Sequence, residues 1–88
     1  MPKMVVTHRV RDVEQWLSLK AERVAAFSPF AMNVTDHVAL DGSYTVALTA
    51  DIHDMAAAQA VIASPSPEVL AFEERQGVIR PVTVNIEK

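Results

Sequence analysis

Four stretches of this 88-residue chain alternate, residue by residue, between two kinds of side chain, and the two kinds differ in character. Successive side chains of a strand point to opposite faces of a sheet, so position parity sorts them. The even positions read Met4, Val6 and His8, then Val34, Asp36, Val38 and Leu40, then Tyr44, Val46, Leu48, Ala50 and Ile52, and finally Val82, Val84 and Ile86. The odd positions read Val5, Thr7 and Arg9, then Asn33, Thr35, His37 and Ala39, then Thr45, Ala47, Thr49 and Asp51, and finally Thr83 and Asn85. One face is oily with two polar interruptions, and the other is mildly polar with full charges only at strand ends. A chain patterned this way requires a sheet with a roof on one side.

The elements around that sheet follow from local signals. Strands are predicted over 4–9, 32–40, 44–52 and 81–86, and Asp41-Gly42 joins the middle two as a tight antiparallel hairpin. Asp12, with Gln15 three residues on, caps a first helix in which Val13, Trp16, Leu17, Val24 and Phe27 recur at helical spacing until Ser28-Pro29. Asp54 opens a second helix through Met55, Ala58 and Ile62. Ser64-Pro65 breaks it, Ser66 with Pro67 restarts it, and Gly77 supplies its left-handed end. The order is βαββαβ, and each half, roughly 3–40 and 44–86, reads strand, helix, strand. The expected fold is therefore α+β: a ferredoxin-like sandwich whose four-stranded antiparallel sheet, in order 4-1-3-2, carries both helices on one face. Residues 1–88 read as a single domain.

Composition narrows the function. With no Cys, thiolate catalysis and cysteine-ligated metal centres are excluded. A net charge of −3 without a basic run lacks the footprint that a phosphate backbone requires, so no nucleic acid partner is expected. Residues 1–10 hold only three consecutive apolar residues, and no stretch approaches the roughly 18 of a membrane span. The expectation is a cytoplasmic protein without a membrane partner.

The odd face carries Thr, Ala and Asn where a solvated sheet face would carry Lys, Glu and Arg. Its cheapest cover is the same face of a second copy, which closes a two-fold homodimer with Thr35, His37, Thr45 and Ala47 in the interface. The competing reading is a solvated Thr-rich face.

Val6-Thr7-His8-Arg9-Val10 followed by Asp12 and Trp16, then Ala63-Ser64-Pro65, then Gly77-Val78 leading to Pro81-Val82-Thr83, resemble the dimeric α/β-barrel superfamily. That group includes antibiotic-biosynthesis monooxygenases, polyketide cyclases and stress-responsive barrel proteins. The resemblance spans the whole chain and implies the ferredoxin-like fold and the dimeric barrel. Haem-degrading and quinol-oxidising members resemble one another in a strand-one Asn, whereas this chain has Thr7 there and its sole Trp on the first helix.

His8 interrupts the oily face where a pocket between sheet and helices would open, and it reads either as a general acid or base or as a hydrogen-bonded core histidine. Asp36 interrupts the same face on strand two. It would orient and activate the imidazole if the two met, but strand three separates their strands, and a bulge could turn Asp36 to solvent. Trp16, Tyr44 and Phe72 are the candidate pocket residues, with Tyr44 a possible proton donor; plain core packing is the competing role. His37 and His53 lie on other elements, and three His without metal-ligand spacing predict no metal site. No nucleotide fingerprint is present, and no cofactor is expected. The functional expectation is a cofactor-independent enzyme of cyclase, isomerase or oxygenase type, acting on a small apolar or aromatic ligand. The alternative is a non-catalytic binding or dimeric assembly module.

Overall fold

A computed structural model describes residues 1–88. Its elements are β1 (Lys3–Val10), α1 (Val13–Ser18), α2 (Lys20–Phe27), β2 (Ala31–Val38), β3 (Thr45–Ile52), α3 (Met55–Ala63), α4 (Pro67–Gln76) and β4 (Val78–Ile86). The strands form one antiparallel sheet in the order β2-β3-β1-β4, the order expected of the βαββαβ pattern. The four caps also stand where the sequence puts them. Asp12, Asp54 and Ser66 accept hydrogen bonds from the backbone N–H three residues on, and Gly77 closes α4 at φ 73°.

The expected first helix is two helices. It breaks at Leu19, whose N–H bonds to the Trp16 carbonyl three residues back. That carbonyl also accepts from the Arg23 guanidinium, so a side chain takes the place of a helical N–H. The buried stripe correspondingly runs through Trp16 and Arg23, with Phe27 half-buried, while Leu17 and Val24 face outward. An arginine can hold a core position only because its charge is met there, as described below.

Both edge strands carry irregularities that matter for the site. In β2, Asn33 and Val34 stand against Ala50 alone, and Asn33 takes φ 56°. The extra residue changes which parity faces the core. Ala31 is buried before it and Met32 exposed, whereas Val34 and Asp36 point inward after it. In β4, which starts three residues earlier than expected, Arg80, Pro81 and Val82 stand against His8 alone. A proline has no N–H for a ladder and suits such a gap on an edge strand.

The main core joins Met4, Val6, Phe30, Ala31, Leu48, Ala50, Ile52 and Ala58, and a smaller cluster of Val10, Trp16 and Val46 lies at the other end of the sheet. Beyond that cluster the helices no longer cover the strands. Leu40, expected on the roofed face, lies past the end of β2 and is fully exposed.

Candidate functional site

Between the sheet and the helices lies a cavity of about 180 Å³, with β1 and β4 as its floor and α2, α3 and α4 as its walls. Thirteen of its nineteen lining residues are hydrophobic, among them Phe27, Phe30, Val61 and Val84, so it suits an apolar occupant. Its polar groups are His8, Arg23, Glu73, Gln76 and Arg80. The size matches one aromatic ring, since an engineered cavity of about 150 Å³ accommodates benzene.

His8 reaches this cavity because the ladder to β4 is interrupted at its position. Its Nδ1 lies 3.0 Å from the Arg9 carbonyl oxygen, which can only accept, so Nδ1 carries the proton and donates. Nε2 is then a lone pair with no hydrogen-bond partner within the protein. The ring stands edge-on to Trp16 at 6.2 Å and 81°. Burial pushes the imidazole below its ordinary 6.5; the Arg9 hydrogen bond and the Glu73 carboxylate oppose this, and the Arg23 charge adds to it. His8 is thus a neutral base at pH 7, with its basic nitrogen unclaimed.

The second polar interruption has another role. Asp36 does not meet His8, which pairs with Val46 on β3 while Asp36 pairs with Leu48 from the far side of that strand. Nor does the bulge in β2 turn it to solvent, because the bulge precedes it and restores its inward parity. Its Oδ2 lies 2.6 Å from Arg23 Nη2, with both side chains almost sealed, at 7% and 3% exposure. Arg23 Nη1 also donates to Gln76 Oε1 at 2.8 Å, and the guanidinium lies 3.9 Å over the Trp16 ring. One cation thereby ties α1, α2, β2 and α4 together beside the cavity. Sequence reasoning missed Arg23, although it stands seven residues after Trp16 and four before Phe27, on the helix face that meets Asp36.

Of the pocket residues expected from sequence, Trp16 and Phe72 line the cavity and Tyr44 does not. Tyr44 is half-exposed next to Arg11 and Val13 near the hairpin, cut off from the cavity by the packed Val10–Trp16–Val46 cluster. The polar end of the cavity gains two groups: Glu73, which reads from the sequence as half of a solvated Glu73-Glu74 helix face but lines the cavity instead, and Arg80. Glu73 and Arg80 pair at 2.8 Å, with Glu73 one residue after Phe72 and Arg80 in the β4 irregularity. Thr35, His37, Thr45 and Ala47 share the open face of the sheet, where His37 Nε2 lies 3.1 Å from Thr49 Oγ1. His53 Nε2 lies 2.9 Å from the Ser28 carbonyl oxygen, away from both.

A four-stranded antiparallel sheet with its helices on one face and an apolar cavity beneath them defines a protein of the ferredoxin-like fold. Among solved structures the chain is similar in fold to antibiotic biosynthesis monooxygenase proteins, which bears out the ferredoxin-like fold expected from its sequence. An antibiotic biosynthesis monooxygenase superposes with a TM-score of 0.66 at 16% identity, over 100% of this chain and 97% of the other. A candidate enzyme of that name from Bordetella bronchiseptica gives 0.70 at 13% identity, over 99% and 94%. Another, from Nitrosomonas europaea, gives 0.60 at 16% identity, over 100% and 97%. No family profile and no curated protein matches the chain.

Proposed function

We propose that this protein is an enzyme that takes a proton from a small, largely apolar ring compound held in the cavity, with His8 as the general base. The observation that carries this reading is the His8 imidazole, neutral at pH 7 and with Nε2 unclaimed, in a cavity the size of one ring. A phenol or an enolisable carbonyl would lose its O–H or C–H proton to Nε2 and remain as the conjugate anion. In an isomerase or cyclase that anion is reprotonated or closes a ring, and in an oxygenase it reduces dioxygen. The names of the structural neighbours favour the oxygenase branch. No cofactor is required for the proton transfer itself.

The pH dependence tests this reading. A base with a depressed pKa is already free at neutral pH, so kcat/KM on a phenolic or enolisable substrate should be flat near pH 7. It should fall only at pH values below the ordinary imidazole value of 6.5. A panel of single-ring phenols and cyclic enolisable ketones, followed by substrate loss and oxygen uptake, supplies the rates. Binding without turnover across the panel would reduce the protein to a ligand-binding module.

The working form in this reading is a homodimer joined through the open sheet face around Thr35, His37, Thr45 and Ala47. What supports it is that face itself, rich in Thr, Ala and Asn, which no helix covers. Light scattering at micromolar concentration should report twice the chain mass, and a single-chain mass would remove the dimer from the proposal.

A further inference from the structure

The buried ion pair is oriented with respect to the cavity: Arg23 lines it and Asp36 does not. The pair is therefore a fixed dipole with its positive end toward any occupant. The guanidinium is also only partly used. It has five N–H groups, and its three hydrogen bonds go to the Trp16 carbonyl, Gln76 Oε1 and Asp36 Oδ2. Nε, buried, has no partner. The other charged pair at the cavity, Glu73–Arg80, is more open, with Arg80 half-exposed and Glu73 at 19%. Water screens it more than it does Arg23.

We infer that Arg23 is the group that stabilises the anion left when the bound ring compound loses its proton, and that Asp36 positions it. The inference rests on the proposed function, since it needs an occupant of the cavity. The ligand class that follows is a weak O–H or C–H acid whose charge, once formed, stays beside the guanidinium. The proton goes to His8 Nε2 or to solvent, the electron pair stays on the ligand, and no other bond changes. A site with preorganised positive charge in a water-excluded wall favours the anion over the neutral acid without reorganising. Gln76 helps hold the guanidinium in place, and Glu73 is the acidic cavity residue that opposes the effect.

Two probes separate this inference from the reading beneath it. 4-Nitrophenol has a phenolate that absorbs in the visible, and its methyl ether, 4-nitroanisole, fills similar space without an acidic proton. Both should bind competitively. Bound 4-nitrophenol should ionise at least one pH unit below the free compound, which is a tenfold or greater preference for the anion. Since removing Arg23 alone strands Asp36, the variant used is Arg23→Met with Asp36→Leu, which removes both charges, and its fold is checked by circular dichroism. It should still bind 4-nitroanisole but ionise 4-nitrophenol at or above the free value, and Arg23→Lys should recover part of the shift. In His8→Gln the shift should persist, because the charge responsible is on Arg23.

A shift that survives in the double variant, or that is absent from the wild-type complex while both probes bind, overturns the role of Arg23 and leaves the cavity reading intact. A shift lost in His8→Gln assigns the effect to the imidazole and likewise overturns it. If neither probe binds, the cavity reading fails and this inference with it.

Discussion

Asp36→Ala should destabilise the fold by roughly 3–5 kcal/mol, because it leaves the Arg23 guanidinium buried without its counter-ion. The expected loss is a large share of the total, since a chain of this length is stable by only about 4–13 kcal/mol. The size of the effect comes from the asymmetry of buried pairs. Forming one gains little net energy over apolar packing, whereas removing one partner strands a charge that cannot reach water. The paired substitution Arg23→Met with Asp36→Leu is accordingly expected to be far milder, within about 1 kcal/mol of the wild type. Denaturant unfolding of the three proteins at pH 7 gives the comparison. Equal losses of this size for the single and double variants would mean that the pair itself, not a stranded charge, supplies the stability, and a loss under about 1 kcal/mol for Asp36→Ala would mean that the pair is solvated in the working protein.

That pair also shows what could be read from the sequence and what could not. Period-two alternation locates the sheet, and caps at Asp12, Asp54, Ser66 and Gly77 locate the helices, because each is a local signal that reports its own surroundings. His8 in the cavity was legible for the same reason, as a polar residue in an apolar register beside the strand end. The meaning of Asp36 was not local. It interrupts one apolar face and Arg23 interrupts another, and only the packing of α2 against β2 makes the two breaks complementary. A lone acid on a buried strand face and a lone base on a buried helix face are the signal, and each is ambiguous until the other is considered with it. Tyr44 failed in the opposite way: its parity was right, but alternation says nothing about where the helical roof ends. The break at Leu19 was invisible too, since it depends on a side-chain bond from Arg23 to the Trp16 carbonyl.

His8→Gln should reduce turnover by about a hundredfold to ten-thousandfold, the range attached to a positioned general base, while leaving the protein folded. Glutamine is chosen because its amide can still donate to the Arg9 carbonyl, which His8 Nδ1 does now, yet it offers no basic nitrogen to the cavity. A purely structural histidine would make the opposite prediction, with unchanged turnover, so the rate distinguishes the roles. Stability against pH supplies an independent reading of the same group. Because burial lowers the folded imidazole's pKa, the unfolded chain takes up its proton first as the pH falls below 6.5. The stability held by the neutral ring is complete above that value, and it declines as the pH drops toward the folded pKa. Wild-type protein should therefore lose denaturant resistance between pH 7 and pH 5 by more than His8→Gln does. If the two proteins lose it equally and turn over equally, the imidazole is neither buried in a way that matters nor a base, and the cavity must work through other groups.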